Sequence, residues 1–208
     1  VTALAPAVEA ALQLEGTEEP YHSVVAVLES AWLPVMLVPL GPDLWSRGHA
    51  GQLLRHRFGD VHGLDGQTEV HMDFRAGEAQ VLGYALARPV KEALLSSAMA
   101  AAVEVASLQP AFVWGREFLS RRGGRQADGH GDRPGAWWVW SEQDRTLVAL
   151  LRDGRVMSLN PGASQVSDLE GAKRCAALES LRLGGLMKDA PVLAAGWPGQ
   201  PLGDSGAG

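Results

Sequence analysis

The sequence predicts an α/β protein of mixed sheets with flanking helices, built as two related lobes of which the second is cut short. Three observations carry this. Strand texture gives way to helical texture twice, once from residue 23 and again from residue 136. Residues 69–75 (EVHMDFR) alternate apolar and polar side chains at the period of a strand with one wet face. Residues 123–135 (GGRQADGHGDRPG) are rich in glycine and charge and poor in apolar groups, as a flexible linker is. The expected division is therefore an N-terminal extension (1–22), a first lobe (23–122), the linker (123–135) and a second lobe with a flexible tail (136–208).

Within the extension, Thr2 is placed to cap a short Ala-rich helix through Leu14, and GTEEP breaks it. Val24 to Leu28 is a continuous apolar run, which predicts a strand covered on both faces. Glu29 to Trp32 turns the chain into a second strand from Leu33 to Pro39. Ser46 caps a helix carrying Ala50, Leu53, Leu54 and Phe58, and Gly59 is its expected stop. The alternating strand 69–75 follows, then a mostly apolar strand from Ala79 to Leu86. Pro89 suits the first turn of the next helix, whose stripe runs Val90, Leu94, Ala98, Ala101, Val105. A short strand near Ala106 to Leu108 leads past Pro110 into a helix with Phe112, Phe118 and Leu119. After the linker come strands at Ala136–Ser141, Arg145–Arg152 and Arg155–Asn160, the last two joined by the hairpin signal Asp153-Gly154. Asp168 opens a helix to about Leu183, and Pro191 to Ala195 is a further strand.

Composition narrows the functional classes. A hydrophobic share of 46% is enough for a core of ordinary size, and a net charge of -6 argues against a general nucleic-acid surface. The basic residues Arg116, Arg121, Arg122 and Arg125 do not reverse that balance. The single Cys175 excludes an intrachain disulfide and a multi-thiolate metal site. No apolar run approaches the roughly 20 residues that span a bilayer, and Val1 to Leu14 lacks the basic start of a secretory signal. A cytoplasmic protein without direct membrane insertion is the expectation.

The stretch VLGYALA–PVKEALLSSAMAAAVEV–ASLQPAFVWGREFLSR (Val81 to Arg121) and the segment VWSEQDRTLVALLRDGRVMSLN resemble the actin-like ATPase superfamily. Its lobes are built on ribonuclease-H-like cores. Within it the resemblance is to the PilM-like pilus assembly proteins and the cytoplasmic part of the type II secretion L components, over about residues 23–160. It implies a cytoplasmic scaffold whose partner is the cytoplasmic tail of an inner-membrane assembly protein, which would hold it at the inner membrane. The superfamily's two phosphate-facing turns correspond to Glu29 and Ser30 in the first lobe and to Ser141 and Asp144 in the second. Both are degenerate: neither contains glycine, one carries Trp32, and the other adds two acids that repel phosphate. AAGWPGQPL (Ala194 to Leu202) faintly resembles the adenosine-contacting glycine pair, interrupted by Trp197. No cofactor is therefore expected, and a pseudo-ATPase is favoured over an enzyme.

Other constellations compete with that reading. Glu69, His71 and Asp73 share one strand face at about 7 Å spacing, a pattern able to ligate a divalent metal or to be simply a solvated face. These three, or else Glu29 on a nuclease-like core, define the alternative of a metal-dependent enzyme; a surviving nucleotide-binding module is a third. Asp128, His130 and Asp132 alternate within the linker, where glycine favours a solvated turn. Gly203 to Gly206 (GDSG) spells a protease motif but lies at the chain end, away from any packed site. Seven tryptophans stand against two tyrosines. Trp137, Trp138 and Trp140 fall on both faces of one strand, so either helices cover both faces or Trp137 is exposed for a partner. Trp137, Trp32 and Trp45 are accordingly the candidate partner-binding residues.

Overall fold

Ser23–Leu28 forms β1, and it pairs in parallel with β5 (Glu104–Pro110) through a bulge between Val24 and Val25. The computed structural model describes residues 23–41, 46–64, 67–75, 77–122, 135–153, 155–162, 165–196 and 200–201. The chain divides into two compact units, 1–110 and 111–208.

In the first unit a helical turn follows β1, with the Trp32 and Leu33 amides donating to the Glu29 carbonyl at 3.0 and 2.9 Å. β2 (Val35–Pro39), β4 (Gln80–Leu86) and β3 (Glu69–Asp73) then form a separate antiparallel sheet in the order β2-β4-β3. β1 and β2 are thus neighbours in sequence but members of different sheets. Nor is β1 covered on both faces, since Val25 is exposed. α1 (Arg47–His62) is capped by Ser46, whose Oγ accepts the His49 amide at 3.2 Å, and it buries Leu54 and Phe58 against β2 and β4 residues Val38, Val81 and Ala85. Each such large side chain stabilises the unit by about 1.5–3 kcal/mol. The helix runs through Gly59 and ends at Gly63, which adopts φ +63° and donates to the Gly59 carbonyl.

α2 (Arg88–Ala100) starts with Pro89 in its first turn and buries Val90, Leu94 and Ala98. It stops earlier than its apolar stripe suggested. Ala102 turns to φ +56°, the Val103 amide reaches the Ala98 carbonyl at 2.9 Å, and the Ala102 amide reaches Met99 at 3.0 Å. That is a Schellman arrangement with alanine in the place that glycine usually takes. Val105 consequently belongs to β5.

The second unit holds a five-stranded mixed sheet, β10-β9-β6-β7-β8, made of β6 (Ala136–Ser141), β7 (Thr146–Arg152), β8 (Arg155–Gly162), β9 (Val192–Gly196) and β10 (Gln200–Pro201). β6, β7 and β8 run antiparallel in sequence, and the crossover through α4 (Leu169–Arg182) returns β9 parallel to β6. Asp168 caps α4 by accepting the Gly171 amide at 2.6 Å. α4 covers one sheet face, packing Ala172 and Ala176 on Trp137, Val139, Val148 and Leu150. α3 (Ala111–Arg122) lies on the other face: a Cβ at Gly115 would clash with the Trp140 ring, so only glycine permits this approach. α3 therefore belongs with the second unit, not with the first lobe as the sequence suggested, and the division falls between Pro110 and Ala111. Residues 123–134, where the linker was expected, lie outside the described residues.

Candidate functional site

A groove of about 240 Å³ opens in the first unit between the β3–β4 hairpin, α2 and β5. The alternation of β3 sends Val70 and Met72 toward α1 and leaves Glu69, His71 and Asp73 on the opposite face. Register then sets His71 across from Tyr84 and Glu69 across from Leu86. The His71 and Tyr84 rings stack with centroids 5.1 Å apart and 11° between planes. From above, α2 contributes Lys91, Leu94 and Leu95; β5 supplies Val105, Ser107 and Leu108. The result is an aliphatic wall with a charged rim.

The rim is internally neutralised. Lys91 Nζ donates to both oxygens of Glu69, at 2.7 and 2.9 Å, and ties α2 to β3. The Lys91 hydrogen bond holds the Glu69 carboxyl below its ordinary range; partial burial opposes this, while the charges of Lys91 and His71 reinforce it. His71 Nε2 stands 3.7 Å from Glu69. Burial pushes the Tyr84 hydroxyl up. The third member of the strand trio points its charge elsewhere, with Asp73 lying 3.9 Å from Arg75 Nε. So Glu69 is committed to a lysine, His71 to a ring stack, and Asp73 to a neighbour. Among the described residues, no three His, Cys, Asp or Glu side chains are gathered in a way that could hold a metal ion.

The tryptophans are placed differently from a set of exposed anchors. Trp137, Trp138 and Trp140 are 1%, 1% and 0% exposed, because helices cover both faces of their strand. Trp137 also donates through Nε1 to the Met187 carbonyl at 3.0 Å. It is a core residue of the second unit and presents no free ring to a partner. Trp32 is half-buried against Leu28, Leu33, Leu86 and Val90. Trp45 and Trp197 lie outside the described residues, as do Asp128, His130 and Asp132.

The turns after β1 and after β6, which the sequence resemblance would match to phosphate loops, are closed in part by the chain's own groups. Ser30 is buried in the helical turn after β1, and the backbone there is closed by the Glu29 carbonyl. In the second unit Ser141 is buried, and its Oγ accepts the Val166 amide at 3.2 Å. Glu142 is buried beside it, and Asp144 lies exposed against Arg145, whose hydrogen bond lowers its pKa. Groove residues that sequence reasoning passed over are Tyr84, Lys91, Leu94 and Leu95. A signal for them existed: Leu95 and Met99 sit off the buried stripe of α2 at i, i+4 spacing, 46% and 78% exposed.

No protein-family model matches the chain, and no curated protein matches it. Solved structures do. The chain is similar to one in a PilM–PilN type IV pilus biogenesis complex, with TM-score 0.54 and 16% identity over 90% of this chain and 57% of that one. It is similar to the cytoplasmic domain of EpsL, an inner-membrane component of the type II secretion system of Vibrio cholerae, with TM-score 0.51 and 14% identity over 98% and 69%. A Bacteroides thetaiotaomicron protein with an actin-like ATPase fold matches at TM-score 0.50 and 10% identity over 86% and 62%. The chain thus spans less than two thirds of the length of the first and last of these. At such identities the similarity is one of architecture, and the chain has the mixed α/β fold of the actin-like ATPases.

Proposed function

We propose that this chain is a non-catalytic assembly component that docks a segment of a protein partner in the groove of its first unit. The carrying observation is the groove itself: an aliphatic wall of Leu86, Leu94, Leu95, Val105 and Leu108 that stays open to solvent beside a self-neutralised rim. At about 240 Å³ it is smaller than the roughly 300–1,000 Å³ of sites that enclose small molecules. It suits a few aliphatic side chains of an extended or helical segment. The glycine-free turns at Glu29–Ser30 and Ser141–Asp144, where Ser30, Ser141 and Glu142 are buried, support a pseudo-ATPase rather than an active one. The similarity to the PilM–PilN complex and to the EpsL cytoplasmic domain supports a place in a pilus or type II secretion-like assembly. The partner would be the cytoplasmic tail of an inner-membrane assembly protein, and the chain would be cytoplasmic, held at the membrane through that partner.

The test is co-purification of wild type and Leu95→Asp from the native host, followed by binding of the captured partner's cytoplasmic segment as a synthetic peptide. Leu95 is partly exposed, so the variant is expected to fold, and peptide affinity should fall about 30-fold, as for an anchor worth about 2 kcal/mol. Unchanged affinity would refute the groove as the docking site. Added ATP and magnesium should leave the melting temperature unchanged; ligand at a hundred times its Kd would stabilise by about 2.7 kcal/mol. A rise of several degrees would favour a nucleotide-binding module instead.

A further inference from the structure

β2 is an edge strand of the β2-β4-β3 sheet, and among the described residues no strand pairs along its outer side. The Leu40 amide donates to the Ala79 carbonyl at 2.7 Å, the Ala85 amide donates to the Pro34 carbonyl at 3.1 Å, and the register between them is unbroken. Backbone groups alternate sides along an antiparallel strand. Met36 and Val38 therefore turn their amides and carbonyls to β4, while Val35 and Leu37 turn theirs to the open edge. Pro39 offers a carbonyl there but no amide. The strand reads VMLVP, without a charge, and Val35 and Leu37 are half-buried on the sheet face away from α1. Such an edge is a template for another strand unless something blunts it. Other edges of the chain carry devices that β2 lacks. A second β3 laid antiparallel about His71 would set Glu69 opposite the Asp73 of its copy, like charge against like. β1 is bulged between Val24 and Val25, and β8 has a register shift beside Met157 and a proline at 161.

We propose that β2 pairs antiparallel with β2 of a second copy of this chain, joining the two three-stranded sheets into one across a two-fold axis at Leu37. The self-match of the edge carries this. With the axis there, the amide and carbonyl of each Leu37 satisfy those of the other, and each Val35 amide meets the Pro39 carbonyl opposite. On the face away from α1, Leu37 packs on Leu37 of the copy and Val35 on Pro39, apolar against apolar, and no charge is desolvated. A foreign strand is the weaker match. Pro39 withholds a donor at one end of the edge, whereas in the two-fold register every donor that remains finds an acceptor on the copy. A two-fold contact also needs no second sequence to complement it. Resting on one short strand from each chain, it makes a reversible dimer and not a permanent one.

The experiment is sedimentation equilibrium of the full 208-residue chain over a range of concentrations, with cysteine cross-linking alongside. Wild type should pass from monomer to dimer as concentration rises. Leu37→Pro removes an amide that the β2–β4 ladder does not use, so the monomer should keep its melting temperature while the dimer Kd rises about tenfold or more. Leu37→Lys should weaken the dimer in the same way, by placing a charge at the axis. In a Cys175→Ala background, Leu37→Cys should cross-link two chains under mild oxidation. Hydrogen-bonded antiparallel partners stand about 5.5 Å apart at Cα, within disulfide reach. Val35→Cys should not cross-link, because the axis sets the two Val35 residues roughly 14 Å apart. Leu95→Asp should dimerise as wild type does, which separates this proposal from the groove. A wild type that stays monomeric throughout, a Leu37→Pro variant that dimerises as tightly, or cross-linking through Val35 as readily as through Leu37 would each overturn it, the first leaving the edge to a foreign strand.

Discussion

Glu179, on the buried face of α4, is 3% exposed, and Ser158 Oγ, Asn160 Nδ2 and the Nε and Nη2 of Arg182 all donate to it. Burial raises its pKa, but the hydrogen bonds from Arg182, Asn160 and Ser158 outweigh burial and leave the group below its ordinary value. A folded pKa below the unfolded one means that the stabilisation is full above the ordinary glutamate range, near about pH 4.3. It is lost as pH falls through the lowered folded value. Arg182→Ala leaves the carboxylate with two neutral donors and should cost about 2 kcal/mol at neutral pH. Because its pKa then rises, the acid-side loss should begin at a higher pH than in wild type. Urea denaturation of both proteins across the acid range reads both effects; matching curves would remove the network from the account. Trp137→Ala should be costlier, by about 3–5 kcal/mol, since it empties a core site rather than a contact surface. A loss below about 1 kcal/mol would return that indole to the surface.

Element boundaries were legible where a residue announced them and illegible where none did. Ser46 and Asp168 were readable as helix caps because a short polar side chain before an apolar period has that one use. The end of α2 was not readable: SSAMAAAVEVAS contains neither glycine nor proline, and the stop is made by Ala102 in a backbone region that disfavours a Cβ. Ala102→Gly should therefore stabilise the protein by about 1 kcal/mol in thermal or urea unfolding, and a destabilised variant would contradict the geometry. Conversely, Gly59 looked like a stop but is inside α1, because Gly63 four residues later offers the positive φ. Strand identity was legible from period, but partnership was not. β1 joins β5, some 80 residues on, and no local signal distinguishes that from pairing with β2. The same limit hid the groove, since Lys91 meets Glu69 only after α2 has folded back over β3.

At the scale of the whole chain, the two-unit plan was visible in the repeated strand-then-helix order, but α3 was assigned to the wrong side. The linker-like composition of 123–135 drew the boundary there, whereas the close seat of Gly115 on the Trp140 ring joins α3 to the second unit. A fragment of residues 111–208 should therefore give its own cooperative unfolding transition, and one starting at 136 should be markedly less stable for want of the cover over Trp140. If the two fragments melt alike, α3 is not part of that unit. The clustering of indoles has an optical consequence. Five of the seven tryptophans lie in residues 111–208, and Trp138 and Trp140 stand 5.7 Å apart in the core. Ultraviolet emission from the intact chain will thus follow mainly the loosening of the second unit. Circular dichroism weighs both units by their backbone, so a gap between the two midpoints would measure how independently the halves come apart.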